Sequence, residues 1–160
     1  MRYSYRNGIG IDDQVRPPEV SGEFYPVLYE SPLQMLADSP SHYLREPMVM
    51  DFLAAVPTVW DETHALTAKI GDRSVAARRR GAEWYLGATS DGEAQTLQVE
   101  LSFLDEDQPY RLIGWRDGPN ADRYAEDFQK RTQTVTPDDT LTIEMATGGG
   151  FAGRFLPIEE

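Results

Sequence analysis

The sequence predicts a mainly β fold: an antiparallel β-sandwich of about seven or eight strands, preceded by a short helical segment. Three observations carry this reading. From Thr58 onward apolar residues recur with a period of two, the spacing of half-buried strands. Short Gly, Pro and Asp clusters separate these runs, as turns separate hairpin strands. No helical pattern lies between the runs, so the crossover helices that a parallel α/β sheet needs are missing. The 160 residues suit one domain. A complete (β/α)8 barrel needs roughly 200 residues at least, and is excluded.

Three zones follow in chain order. Residues 1–29 hold Gly8, Gly10, Pro17, Pro18, Gly22 and Pro26 without either periodicity, and predict an irregular or disordered lead. Residues 30–56 predict helix. Ser31-Pro32 is an N-cap with proline at the first helical position, and Leu33, Leu36 and Ala37 share a face. Ser39-Pro40 repeats that start signal, so the first helix is short. A second opens near Pro47 with Val49, Phe52, Leu53 and Val56 on one face, and Pro57 stops it.

Residues 57–160 predict the sandwich. Val75 and Ala77 alternate with Ser74, Ala76 and Arg78; Trp84, Leu86 and Ala88 follow the turn Arg80-Gly81-Ala82-Glu83. Leu97, Val99, Leu101 and Phe103 alternate with Gln98, Glu100 and Ser102, the clearest half-buried strand in the chain. Ile113 and Trp115 oppose Leu112 and Gly114, and Leu141, Ile143 and Met145 alternate with Thr140, Thr142 and Glu144. Turn signals lie at Gly71-Asp72, Asp91-Gly92, Asp117-Gly118-Pro119-Asn120 and Pro137-Asp138-Asp139, and Gly148-Gly149-Gly150 reads as a turn between two late strands.

Composition narrows the function classes. The 27 acidic residues against 15 basic ones give a net charge of −12, which repels phosphate backbones and argues against a nucleic-acid partner. Of the basic residues only Lys69 and Lys130 are lysine, as a salt-rich habitat or GC-rich coding would each produce. Without cysteine there is no disulfide, thiolate metal site or thiol nucleophile. No stretch approaches the ~20 apolar residues of a membrane span. The first residues lack the apolar core of a secretory signal, so none is expected in the sequence as given. Its compartment is left open.

No constellation of side chains predicts an active site. His42 and His64 are the only histidines and lack metal-ligand spacing, so His42 reads as a packing or helix-surface residue and His64 as an exposed strand residue near Asp61-Glu62. The acidic groups Asp61-Glu62, Asp105-Glu106-Asp107, Asp138-Asp139 and Glu159-Glu160 read as solvated turns and strand ends rather than an opposed glycosidase pair. Asp117-Gly118-Pro119-Asn120-Ala121-Asp122 offers three oxygen side chains, with calcium as the nearest alternative to a plain turn. Arg78-Arg79-Arg80 is expected to border a hairpin and pair with acids. Trp60, Trp84 and Trp115 fit core or interface positions, with a sugar-stacking platform as the alternative.

A resemblance adds to this. Tyr29-Glu30-Ser31-Pro32-Leu33-Gln34-Met35-Leu36-Ala37-Asp38-Ser39-Pro40 resembles glycoside hydrolase family 97, as does Tyr43-Leu44-Arg45-Glu46-Pro47. The likeness is most specific at Ala54-Ala55-Val56-Pro57-Thr58-Val59-Trp60-Asp61-Glu62-Thr63. It continues through Ala76-Ala77-Arg78-Arg79-Arg80-Gly81, Trp84-Tyr85-Leu86-Gly87-Ala88, Asp117-Gly118-Pro119-Asn120-Ala121-Asp122-Arg123 and Gly148-Gly149-Gly150-Phe151-Ala152. Members are α-glucosidases and α-galactosidases with an N-terminal β-super-sandwich, a central (β/α)8 barrel holding the catalytic carboxylates and calcium, and a C-terminal β-sandwich linked to oligomerisation. The resemblance implies that residues 30–56 match the end of the barrel and 57–160 the C-terminal sandwich. Residues 1–28 depart from it: Phe24-Tyr25-Pro26-Val27-Leu28 stands where the family has a helix, as a truncated or frameshifted gene would produce.

The expected function is therefore a non-catalytic structural and oligomerisation domain of a family 97 α-glycosidase, inactive on its own. No catalytic, cofactor-binding or metal-binding residue is assigned to this chain. The expected partners are a second copy and a parent barrel domain, without nucleic acid or membrane. A carbohydrate-binding module is the alternative, and would need at least two exposed coplanar rings.

Overall fold

The computed structural model describes residues 26–29, 41, 47–124 and 127–159. The short first helix expected to open at Ser31-Pro32, His42 and most of the lead lie outside these residues. Within the lead, residues 26–28 form a helical turn rather than an irregular stretch, and Val27 is fully buried.

Helix α1 spans Pro47–Leu53. It starts at the proline and closes with a tightened turn in which the Ala55 N–H donates to the Phe52 carbonyl, two residues before Pro57. Eight strands follow: β1 (Glu62–Lys69), β2 (Arg73–Arg80), β3 (Glu83–Ser90), β4 (Gln95–Glu100), β5 (Tyr110–Asp117), β6 (Phe128–Val135), β7 (Thr140–Met145) and β8 (Gly150–Pro157). They form a six-stranded sheet in the order β1-β2-β3-β8-β5-β6 and a two-stranded sheet of β4 and β7. Every pairing is antiparallel. The mainly β sandwich and its short helical lead agree with the expectation. Among the described residues no helix is long and apolar enough to cross a membrane.

The core between the sheets takes the alternating residues that the sequence singles out. Val75, Ala77, Trp84, Leu86 and Ala88 of the larger sheet meet Val99, Leu141, Ile143 and Met145 of the smaller. Gly81, with φ of 59°, makes the β2–β3 hairpin in a left-handed conformation that costs glycine little.

Two strands differ from their sequence patterns. β4 stops at Glu100, although the alternation runs on to Phe103. The Leu101 N–H donates to the Asp139 carbonyl and the Leu104 N–H to that of Leu101, so the chain turns away from the ladder. Leu101, Phe103 and Leu104 remain buried and plug the end of the sandwich, with the Phe103 ring 5.2 Å from Trp84 and 5.7 Å from Phe155. β6 has no apolar alternation because it is an edge strand whose residues 130–134 are all exposed.

Candidate functional site

The six-stranded sheet is apolar on both faces, and its outer face carries the candidate site. Tyr85 on β3, Ala152 on β8 and Trp115 on β5 point away from the sandwich core and form a second buried cluster with Val27 and Phe52. Leu53, Val56, Trp60, Ile113 and Phe128 pack around it, half-buried. Chain preceding β1 thus fills an apolar seat on the sheet.

Small residues shape the seat. Gly87 pairs with Ala152 across β3 and β8, and Ala152 pairs with Trp115 across β8 and β5. A Cβ built on Gly87 would lie 3.0 Å from Leu28 Cγ and 3.1 Å from Val27 Cβ, closer than unstrained carbon contacts of about 3.5–4.0 Å. Only a glycine lets the 26–28 turn approach so closely, the usual meaning of glycine within a strand.

Polar groups fix the seated chain. The Arg78 guanidinium, on a side chain only 5% exposed, donates from Nη1 to the Tyr29 carbonyl at 2.6 Å and from Nη2 to that of Leu28 at 3.3 Å. It also lies 5.6 Å from the Trp60 ring centroid. A cation on carbonyls that end a helical turn is the favourable arrangement for a helix C-terminus. Trp115 Nε1 donates to the Met48 carbonyl at 3.1 Å while its ring meets Phe52 at 4.8 Å. Lys130 lies over the Trp115 ring at 5.2 Å, its Nζ 3.9 Å from Asp51 of α1.

Beside the seat a cleft of about 550 Å³ opens between Ala55, Pro57, Arg80, Glu83, Tyr85 and Arg154. Its one carboxylate is committed. Arg154 donates to both Glu83 oxygens at 2.8 and 2.9 Å, and the Tyr85 hydroxyl donates to Oε2 at 2.7 Å, with the Ala55 carbonyl 2.9 Å from that hydroxyl. Burial pushes the Glu83 carboxyl up, but the bonds from Arg154 and Tyr85 outweigh it and hold the pKa below its usual range. Burial and the Glu83 bond push the Tyr85 hydroxyl well above its usual range. Neither group suits proton transfer near neutral pH.

The other residues singled out in the sequence do not converge. His64 on β1 has Nε2 3.3 Å from Glu62 Oε1, and its ring meets Trp84 edge-on at 5.3 Å. Asp61 accepts from Arg80 and from the Gly81 N–H, both at 2.7 Å. Glu62 accepts from Arg79 at 2.8 Å. Two arginines of the triplet therefore pair with acids as expected, whereas Arg78 serves backbone carbonyls. Asp105 accepts from the Tyr110 hydroxyl, and Asp139 accepts from the Thr136 N–H. Glu159 is exposed, and Glu160 lies outside the described residues.

The stretch Asp117–Asp122 does not fit calcium. Asp117 Oδ2 accepts from the Ala146 N–H at 2.8 Å and the Gly150 N–H at 3.1 Å, pinning the β7–β8 turn. Burial raises the Asp117 pKa against those two bonds, and the nearby Asp122 charge adds to the rise. Among the described residues no group of three or more His, Asp or Glu could hold a metal. The tryptophans form no exposed platform either, since Trp84 and Trp115 are each 2% exposed and Trp60 packs on Tyr85 at 5.2 Å.

Arg78, expected to pair with an acid, and Gly87 have roles in the seat that the sequence pattern did not assign them. A signal existed for each: an arginine directly after the apolar run Val75-Ala76-Ala77, and a glycine between Leu86 and Ala88 in a strand interior.

Comparison with known proteins matches the chain to a family. Residues 59–156 match the family described as "Glycosyl-hydrolase 97 C-terminal, oligomerisation". The chain is 43% identical over 126 residues to a retaining alpha-galactosidase of Bacteroides thetaiotaomicron, covering 79% of this chain and 19% of the relative. Identity to a probable retaining alpha-galactosidase of Streptomyces bingchenggensis is 34%, with the same coverage. A Glycoside Hydrolase Family 97 enzyme from Pseudoalteromonas sp. strain K8, solved in complex with acarbose, superposes with a TM-score of 0.85 at 36% identity, over 90% of this chain and 23% of that one. The chain spans about a fifth of the length of the curated relatives it matches.

Proposed function

From the premise that the chain belongs to glycoside hydrolase family 97, as its C-terminal oligomerisation domain, we propose that it is a non-catalytic structural module. Its sandwich binds the chain that leads out of a catalytic barrel and joins copies of the enzyme together. The parent enzyme hydrolyses α-galactosides or α-glucosides, with its catalytic carboxylates and any calcium in the barrel. One observation carries the reading: the outer face of the six-stranded sheet is an apolar seat, already filled by Val27 and Phe52 from chain that precedes the sandwich.

The seat also explains why this sheet is apolar on both sides. A sandwich standing alone needs one buried face per sheet, and a second is expected where another element docks. The acids support the same division of labour. Asp61, Glu62 and Glu83 are neutralised by Arg80, Arg79 and Arg154, and none faces another carboxylate across the cleft. The experiment is an assay of the purified 160-residue chain on aryl α-galactosides and α-glucosides. No hydrolysis above buffer is expected. Turnover that disappears in Glu83→Gln or Asp61→Asn would overturn the non-catalytic reading.

A further inference from the structure

We propose that the open edge of β6 is the self-association surface, and that it pairs antiparallel with β6 of a second copy about a two-fold axis at Thr132. The inference rests on the oligomerising role proposed above and names where it acts.

Among the described residues, the geometry of β6 is that of an unguarded edge. Its eight residues pair with β5 in continuous register without a bulge. The Gly118 N–H donates to the Asp127 carbonyl, and this pair extends the same register by one step. Antiparallel pairs alternate between bonded and non-bonded, so Gln129, Arg131, Gln133 and Val135 turn their backbone groups to β5. Phe128, Lys130, Thr132 and Thr134 turn theirs outward. The other edges are less suited. β1 has a register shift between Ala65 and Thr67, a common way of blunting an edge. β4 and β7 have six residues each and carry Glu100 and Glu144, which oppose self-approach in a chain of net charge −12. β6 has no acid. Lys130, often a guard on an edge strand, has its ammonium group drawn over the Trp115 ring toward Asp51.

Charge and strand length select the register. An axis at Lys130 or Arg131 sets like charges opposite each other, which is destabilising. An axis at Thr134 runs past Val135 into the turn that the Asp139 side chain closes on Thr136. An axis at Gln133 leaves the paired residues with their backbone groups facing β5. With the axis at Thr132, threonine faces threonine, Lys130 faces Thr134 and Arg131 faces Gln133. Lys130, Thr132 and Thr134 then exchange main-chain hydrogen bonds across the axis, and two six-stranded sheets become one.

The chain has no cysteine, so single-cysteine variants read the register directly. In a bonded antiparallel pair the Thr132 Cα atoms lie about 5.5 Å apart, within the ~4.4–6.8 Å that a disulfide spans. Two Thr134 positions lie four residues out of register, roughly 13 Å apart. Mild oxidation of Thr132→Cys is expected to give covalent dimer at least tenfold faster than Thr134→Cys, and Thr132→Lys to weaken wild-type self-association at least tenfold in light scattering. A smaller rate difference, or undiminished association of Thr132→Lys, in a chain whose wild type is dimeric would overturn the β6 interface and leave the oligomerising role standing. A monomeric wild type would overturn that role, and the interface with it.

Discussion

Replacing Gly87 by alanine separates the seat from the sandwich, because the two respond with opposite sign. The new methyl would stand 3.0, 3.1 and 3.2 Å from Leu28 Cγ, Val27 Cβ and Leu28 Cδ2, so the turn must retreat by roughly half an ångström to regain ordinary contact. That shift carries the 3.3 Å bond from Arg78 Nη2 to the Leu28 carbonyl out of range. Overpacking of this kind costs about 1–3 kcal/mol. The loss has a ceiling, since the turn undocks once the strain exceeds what docking contributes. Burial of the Val27 side chain contributes about 1.5–3 kcal/mol, and hydrogen bonds to a charged group about 1.5–3 kcal/mol each. The sandwich gains instead, by about 0.4–1 kcal/mol, because alanine leaves the unfolded chain fewer conformations. Hydrogen–deuterium exchange reads both effects. Peptides covering residues 26–29 are expected to exchange about tenfold faster in Gly87→Ala, the equivalent of 1.4 kcal/mol, while the β3 and β8 amides keep their protection. Unchanged exchange at 26–29, or loss of protection in β3 and β8, would refute a seat that docks separately from the sandwich core.

Further outcomes follow from single side chains. Asp117→Ala leaves the Ala146 and Gly150 N–H groups without their acceptor and is expected to cost about 2–4 kcal/mol in chemical denaturation, with Asp117→Asn recovering part of it. The Glu83 pKa is depressed in the folded chain, so its contribution is present above its ordinary value near 4.5 and is lost as pH falls through the folded pKa. Acid titration of stability should therefore be shallower in Glu83→Gln than in wild type below that pH. Burial and the bond to Asp105 push the Tyr110 hydroxyl up to about 12, so the folded chain resists its ionisation and stability falls as pH rises from about 10. Tyr110→Phe should flatten that alkaline loss in a denaturant series.

The sandwich was legible because its strands are half-buried. Leu97 and Val99 or Leu141, Ile143 and Met145 show the period that one wet and one dry face impose. β5 carried a further message, since Leu112 on one face and Ile113 and Trp115 on the other are all apolar, the mark of a sheet covered on both sides. β6 left no signal because an exposed edge strand has no dry face to record. The run through Leu101 and Phe103 misled for the opposite reason: burial continues after the ladder ends, and periodicity reports burial rather than hydrogen bonding. The seat was the hardest part to read. Its specificity lies in where Arg78 meets the carbonyls of residues some fifty positions away, and in what Gly87 leaves out. Neither a missing side chain nor a long-range main-chain contact leaves a periodic trace.

Self-association of the isolated chain tests the central claim most directly. The −12 charge per chain opposes dimer formation at low salt, and screening shortens that repulsion to about 10 Å at 0.1 M salt without weakening main-chain pairing or apolar contact. Light scattering at tens of micromolar should give a mass rising from the 18.1 kDa monomer toward twice that value as salt increases. A mass that stays at one chain across the whole salt series would contradict an oligomerisation domain.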